Sequence, residues 1–138
     1  MAYIHGKNTV VKVATKDLSA YTDSSELNRS ADDHDVTGYA AATTGGAHVY
    51  EGGLTDGKFT MSGTYDSTAV TGPRAALNPL LATTVAVIRQ PEGAGTGKPQ
   101  DSFNALLLGY VETNPVADMV KWSAEFKISG AVTSTPQA

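Results

Sequence analysis

A stretch near the end of the chain alternates apolar and polar side chains without a break. Its apolar positions are Val120, Trp122, Ala124, Phe126 and Ile128, and every residue between them is polar or charged. Successive side chains of a strand point to opposite faces, so this stretch predicts a β-strand with one buried and one solvated face. Trp122, the only tryptophan, and Phe126 are therefore predicted core anchors.

Residues 56–90 predict a strand, a short helix and a second strand. Phe59 and Met61 alternate with polar residues in the first strand and are predicted to be buried. Residues 84–90 are apolar enough to be covered on both faces. Most of the remaining chain reads as further strands and long loops, so the fold class is mainly β with one helix.

The helix is predicted at about residues 72–83. Pro73 suits the first helical position, where its missing N–H would have no partner in any case. Leu77 is predicted to face the sheet as another core anchor. Pro79 lacks an N–H, and its ring clashes with the preceding turn, so the helix should be short or kinked near Asn78.

Composition narrows the class of protein. A chain of 138 residues fits a single domain, residues 1–138, and a net charge of −4 argues against wrapping nucleic acid. The absence of cysteine excludes disulfides and thiolate chemistry. Neither a secretion signal nor a membrane-spanning run is visible, which predicts a soluble protein. Only 17% of residues are charged, which suits a subunit that is largely covered by other subunits.

Two segments lack periodicity. Between residues 31 and 53 the pattern fades, and Ala40–Gly46 is small and flexible in composition, so we interpret this region as an arm that is ordered against a neighbour. Residues 90–99 are glycine-rich and bounded by prolines, which predicts a mobile hairpin loop.

A cluster of three carboxylates and one imidazole at Asp32–Asp35 raises the hypothesis of a metal site. Oxygen-rich clusters can bind Ca²⁺, but this spacing does not match an EF-hand loop. Adjacent carboxylates in a loop are more often turn and capping groups, so we expect neither a metal nor a cofactor.

The sequence motifs of catalytic sites are likewise not matched. The glycine-rich run before Lys98 is not a phosphate-binding loop, because Glu92 and Pro99 occupy positions that the motif reserves for glycine and a hydroxyl. His5, His34 and His48 lie outside any nucleophile pattern. We therefore expect no enzymatic activity.

An ordered series of short segments runs along nearly the whole chain. They are His5–Val10, Asp17–Ser19, Asn28–Asp32, His34–Thr37, Val49–Leu54, Asp56–Gly57, Ser62–Thr68, Gly72–Ala75, Arg89–Gly93, Gly97–Gln100 and Glu112–Val120. In order and joint spacing this series resembles the major tail (tail tube) proteins of tailed bacteriophages, particularly those that infect actinobacteria.

The resemblance implies a fold of two packed antiparallel β-sheets, sandwich-like or barrel-like, flanked by one short helix and carrying long assembly loops. It implies hexameric rings that stack into a tube, through which DNA passes during ejection without specific binding. The protein would be made in the host cytoplasm and reside in the tail of the virion. Its partners would be itself and the tape-measure, tail terminator and distal tail proteins, without a membrane.

The resemblance also implies which residues make contacts between subunits. The long loop of similar tubes reaches an adjacent ring, and it maps here onto residues 28–53. The loop at 91–99, with Glu92 and Lys98, would form a second contact or the edge of the lumen. The implied contact residues of the arm are Asn28, Arg29, Asp32, Asp35, Tyr39, His48 and Tyr50.

Two alternatives stay open at this point. A capsid decoration protein is also small, β-rich and free of cysteine, but it would form trimers or bind a shell lattice. A Ca²⁺-dependent carbohydrate-binding module would use Asp32–Asp35 as its metal site and Trp122 or a tyrosine as a sugar platform. The weakness of the second alternative is that Trp122 shares the apolar strand face with Phe126. The sequence does not separate a siphophage tube from that of a contractile or domesticated particle.

Overall fold

A computed structural model describes residues 3–39, 45–67 and 72–138 of the chain. Within these residues, strands dominate, one α-helix is present, and short 3-10 turns precede the first strand, follow the second and follow the helix. The elements are β1 (Val10–Val13), β2 (Lys16–Asp17), β3 (Ser24–Asp35), β4 (Tyr50–Thr64), α1 (Pro73–Leu77), β5 (Thr84–Gln90), β6 (Pro99–Thr113) and β7 (Lys121–Pro136).

The strands form one antiparallel sheet of seven, in the order β2-β1-β5-β6-β7-β4-β3. The predicted fold class, mainly β with one short helix, is confirmed. The prediction of two packed sheets is not confirmed, because hydrogen bonding runs without interruption from β2 to β3.

This sheet is curled, because its two edges are joined by a short connection. A flat sheet of seven strands would hold its edges roughly 29 Å apart, whereas the chain from Asp17 to Ser24 reaches only about 25 Å when fully extended. The connection includes a 3-10 turn at Ser19–Tyr21, which shortens it further. At its end, Asp23 N–H donates to the carbonyl oxygen of Ser62 at 2.9 Å. The sheet is therefore curved, and its two edges lie closer together than the edges of a flat sheet.

The core fills the inside of the curl. The rings of Phe59 in β4 and Phe103 in β6 pack edge-to-face at 5.5 Å, although β7 lies between their strands in the sheet. Burial therefore follows the alternation of β7, whose Trp122, Ala124 and Phe126 are at most 4% exposed. Five side chains, those of Phe59, Met61, Leu77, Trp122 and Phe126, are each at most 2% exposed.

The helix is shorter than predicted. α1 ends at Leu77, and Asn78–Leu80 continues as a 3-10 turn, so the predicted span of 72–83 is wrong at its C-terminal end. Pro79 explains the early end, since it has no N–H to donate to the preceding turn. Ala82 then adopts a φ of 65°, and its N–H donates to the carbonyl oxygen of Leu107 at 2.9 Å. In the described part of the chain, no helix has the length and apolar character needed to cross a membrane.

Candidate functional site: a projecting two-stranded arm

β3 and β4 continue as a pair past the point at which β4 stops pairing with β7. β4 pairs with β7 from Lys58 to Thr64, and its earlier residues pair with β3 alone among the described strands. Residues 29–35 of β3 and 50–57 of β4 therefore form a two-stranded projection, which we call the arm. An isolated two-stranded hairpin is only marginally stable in water, so an arm of this kind gains stability when another surface covers it.

The arm corrects the interpretation of residues 28–53 as an unpatterned loop. Much of this region is β-strand, with register pairs from Asn28↔Lys58 to Asp35↔Tyr50. Both faces of the arm are largely exposed, so it lacks the apolar alternation by which a half-buried strand is recognised. Residues 40–44 lie outside the described residues.

A β-bulge interrupts the arm in its middle. Ala31 pairs with Thr55 and Asp33 with Gly52, so Asp32 faces both Gly53 and Leu54. A Cβ atom on Gly53 would lie 2.6 Å from Nε2 of His34, so a side chain at this position would require the exposed imidazole to move. Leu54, one of the two residues opposite Asp32, is 83% exposed.

Hydrogen bonds organise the far end of the arm. The Asp35 carboxylate accepts from Thr37 N–H at 2.9 Å and lies 3.0 Å from Nδ1 of His48. The Thr37 hydroxyl in turn accepts from Val49 N–H at 2.7 Å. The imidazole of His48 stacks at 6.0 Å on the ring of Tyr50. These contacts tie the two strands together beyond their last register pair.

The same contacts shift the titration of one carboxyl group. Hydrogen bonds from the Thr37 side chain and backbone, with a smaller contribution from His48, hold the pKa of Asp35 below its ordinary value of 3.8. Asp35 is therefore ionised throughout the neutral range and can keep its partners.

Large apolar side chains are exposed along the arm. They belong to both strands and to the described part of the tip, and soluble monomers seldom group such residues without a binding role. They are Val36, Tyr39, Val49, Tyr50 and Leu54.

All seven arm residues implied by the resemblance are exposed. Asn28 lies at the base of the arm, Arg29 pairs with Gly57, and Tyr39 lies beyond the end of β3. Asp35, His48 and Tyr50 meet at the tip, whereas Asp32 stands apart in the bulge. The sequence pointed to neither the exposed Leu54 nor the hydrogen bonds of Thr37.

The carboxylates of Asp32–Asp35 do not converge. They lie on a strand, where alternate side chains point to opposite faces, and the Asp35 carboxylate already engages Thr37 and His48. Among the described residues, no group of three or more His, Cys, Asp or Glu side chains could hold a metal ion. Trp122 is 2% exposed and cannot serve as a sugar platform. The carbohydrate-binding alternative is therefore not favoured.

The loop between β5 and β6 is tied to the end of the chain. Gln137 accepts from Gly95 N–H at 3.0 Å through its side-chain oxygen and donates through Nε2 to the carbonyl oxygen of Gly93 at 2.9 Å. This loop is thus held at its centre as well as at its ends, and its mobility stays a prediction. Glu92 is half-buried, and Lys98 is exposed with Nζ 3.5 Å from the Glu92 carbonyl oxygen.

The outer face of β4 and β7 carries an alternating set of charges. Lys58 pairs with Glu125 at 3.1 Å, and Lys127 lies 3.8 Å from Asp56. Each of these side chains is about half exposed or more, so the pairs add little stability. Their effect is to leave this face close to neutral.

The sequence matches no protein-family model and no curated protein. The structure, however, superposes on a chain from the tail of an empty gene transfer agent particle, determined by helical refinement with C6 symmetry. The TM-score is 0.75 at 14% identity, over 96% of this chain and 99% of that chain. The SPP1 tail tube, a hybrid of solid-state NMR and cryo-EM, gives a TM-score of 0.66 at 10% identity, over 98% of this chain and 80% of that one. The chain has a tail-tube fold.

A further chain with the same fold comes from the virion of a native gene transfer agent particle, with a TM-score of 0.74 at 14% identity. It matches 96% of this chain and 99% of its own length, so the tail-tube fold accounts for nearly all of both chains. The narrower resemblance, to tail tubes of phages that infect actinobacteria, stays a prediction.

Proposed function

We propose that this chain is a structural subunit of a tail tube, which assembles into hexameric rings that stack around a lumen. The observation that carries this proposal is the likeness, over almost the full length of both chains, to a subunit of a C6-symmetric tail. The protein would act in the tail of a virion or virion-like particle as a conduit for DNA, without an enzymatic activity. Synthesis in the host cytoplasm completes the proposal.

Identical rings that stack in one direction use two different surfaces of the same chain. Each end of the stack then carries one of these surfaces free, so that a further ring can add. The arm is suited to be one of these surfaces. It projects from the sheet, exposes apolar side chains such as Leu54 and Tyr50, and has too few strands to be stable alone. We propose that it reaches the adjacent ring, and that the Glu92–Lys98 loop forms a second contact between subunits.

The charge of the chain suits a conduit. A net charge of −4 per subunit gives a ring of like subunits an overall negative field, which repels phosphates. The ion pairs on the outer face of β4 and β7 leave no strong cationic patch there to hold DNA. The tape-measure, tail terminator and distal tail proteins would bind the assembly, inside it and at its ends.

The test is electron microscopy and light scattering of the purified protein over a range of concentrations. We expect six-subunit rings and tubes. Stable trimers at every concentration would contradict the proposal and favour a capsid decoration protein instead.

A variant without the arm separates the effect on assembly from the effect on folding. Ser30 and Asp56 face each other across the arm, so an Asn-Gly turn can replace residues 31–55 and close a short hairpin. We expect a monomer with a circular dichroism spectrum typical of β-sheet and no tubes. Normal tubes from this variant would show that the arm is not the contact between rings.

A further inference from the structure

The charges of the chain are unevenly distributed along its length. Residues 1–22 contain three lysines and one aspartate, a formal charge of +2, and residues 23–56 contain seven carboxylates and one arginine, a charge of −6. The remaining residues contain six charges of each sign and are neutral overall. The net charge of −4 is therefore the balance of a basic N-terminal segment and an acidic segment that includes the arm.

The basic charges lie at one edge of the sheet. Lys7 is exposed in the 3-10 turn before β1, and Lys12 lies between the buried Val11 and Val13, so it points away from the core. Lys16 belongs to β2, the edge strand, which is only two residues long. We call Lys7, Lys12 and Lys16 the basic edge.

The acidic charges of the arm lie at the opposite edge in the order of the sheet, on β3 and the start of β4. Asp32 and Asp33 are exposed on β3, and Glu51 is exposed on β4, opposite His34. Asp35 is excluded from this set because its carboxylate is engaged by Thr37 and His48.

Neither set forms an ion pair among the described residues, although Asp17 lies opposite Lys12 in the register of β1 and β2. Some cations elsewhere have carboxylate partners, as in Arg89–Asp101 at 3.2 Å and Arg74–Glu112 at 3.6 Å. In contrast, within the described residues no ion pair within 4.0 Å includes a lysine of the basic edge or one of the three free carboxylates of the arm. Two unpaired surfaces of opposite charge thus occupy different edges of one chain.

We propose that the arm of one copy docks Asp32, Asp33 and Glu51 onto the basic edge of a copy in the adjacent ring. This inference rests on the proposed function and adds the surface that receives the arm. Opposite charges favour this pairing, whereas two arms or two basic edges would repel each other. The contact joins unlike surfaces, so it can repeat without closing, and it gives the stack of rings a polarity.

A charge-swap experiment with three variants of the full chain tests the docking. The edge variant carries Lys7→Glu, Lys12→Glu and Lys16→Glu; the arm variant carries Asp32→Lys, Asp33→Lys and Glu51→Lys; the third variant carries all six changes. The variant with all six changes has the net charge of the wild type, −4, and reverses the charge of both surfaces together. It is therefore a matched control for effects of total charge.

The readout is the lowest protein concentration at which tubes sediment, at about 0.1 M ionic strength, where charges act over about 10 Å. We expect this concentration to rise at least about tenfold in the edge variant and in the arm variant. In the variant with all six changes, it should return toward the wild-type value. The docking would be overturned if tubes form normally in both the edge variant and the arm variant. It would also be overturned if the variant with all six changes needs as high a concentration for tubes as either of them.

Folding and the proposed function are checked separately. All six side chains are exposed or half-buried, so each variant should unfold near the wild-type temperature. If a reversed variant fails to fold, the same comparison is made with Lys→Gln and Asp→Asn or Glu→Gln changes, which remove charge without adding the opposite sign. A wild-type protein that forms neither rings nor tubes would overturn the proposed function itself, whereas wild-type tubes with insensitive variants would overturn the docking alone.

Discussion

The indole N–H of Trp122 donates a hydrogen bond to the backbone carbonyl oxygen of Tyr21, at 3.2 Å and across 101 residues of sequence. Trp122 lies in β7 near the middle of the sheet, and Tyr21 ends the 3-10 turn that joins its two edges. The contact thus fastens the connection between the edges to the inside of the curled sheet. The only tryptophan both fills the core and closes the fold.

Replacing Trp122 should be costly for both reasons. Trp122→Ala should lower the free energy of unfolding by about 3–5 kcal/mol, because it leaves a cavity beside Tyr110, whose ring lies 6.3 Å away. Trp122→Phe retains most of the packing and loses the hydrogen bond, so it should cost less, with about 1 kcal/mol from that bond. Urea unfolding of the monomer measures both. Equal effects of the two variants would show that packing at this site contributes little.

Gly63 is the point where β4 meets the connection between the edges. A Cβ atom at this position would lie 1.8 Å from the carbonyl oxygen of Tyr21, an overlap with backbone that a side-chain rotation cannot relieve. Gly63→Ala should therefore lower the free energy of unfolding by about 3 kcal/mol or more. A Cβ atom on Gly109 in β6 would meet no atom of the described residues within 4 Å, its chain neighbours aside, so Gly109→Ala is the matched control and should change stability little. A similar melting temperature for both variants would contradict this account of the closure.

The tip of the arm should loosen in acid through Asp35. Its pKa is lowered in the folded protein, so the hydrogen bonds of the ionised form stabilise the tip above pH 3.8 and are lost as the pH falls through the lowered pKa. An NMR titration of the Asp35 carboxyl carbon should give a midpoint below 3.8. Thr37→Val removes the largest cause of the shift and should move the midpoint closer to 3.8.

His48→Gln provides the comparison for this titration, because His48 contributes less to the pKa of Asp35 than Thr37 does. We expect it to move the midpoint less than Thr37→Val. The reverse order would show that the pair with the imidazole, and not the Thr37 hydrogen bonds, organises the tip.

The elements that sequence predicted well are those with one face in the core. The alternation in β7 around Trp122 and Phe126 reports burial directly, and Pro73 marks the start of α1 in the structure as in the sequence. The helix end was harder to place, because Leu80 and Leu81 continue an apolar pattern that Pro79 has already interrupted. Local periodicity thus indicates the elements and leaves their limits to backbone chemistry.

The arm could not be predicted as strand for a related reason. Its residues from Arg29 to Asp35 pair through the backbone, and none of their side chains is buried. Strand formation there depends on hydrogen bonds with partner residues fifteen or more positions away, which leave no local pattern. The order of strands and the curl of the sheet are equally non-local, and local patterns indicated neither of them.

Gln137 should hold the β5–β6 loop through its side chain. Besides its bonds to Gly93 and Gly95, its backbone N–H donates to the carbonyl oxygen of Lys98, and its carbonyl oxygen accepts from Gly97 N–H, both at 2.9 Å. Gln137→Ala removes the side-chain bonds and keeps the backbone bonds. The Gly95 amide should therefore exchange with solvent at least about tenfold faster, which corresponds to about 1.4 kcal/mol.

The Gly97 amide is the internal control, because its partner is the backbone of Gln137 and survives the change. We expect its exchange rate to change less than that of Gly95, while the melting temperature of the monomer stays near that of the wild type. Parallel acceleration of both amides would mean that the side chain of Gln137 orders the whole end of the chain. If Glu92 and Lys98 contact a neighbouring subunit as proposed, Gln137→Ala should also raise the concentration needed for tubes, because binding must then order the loop that carries them.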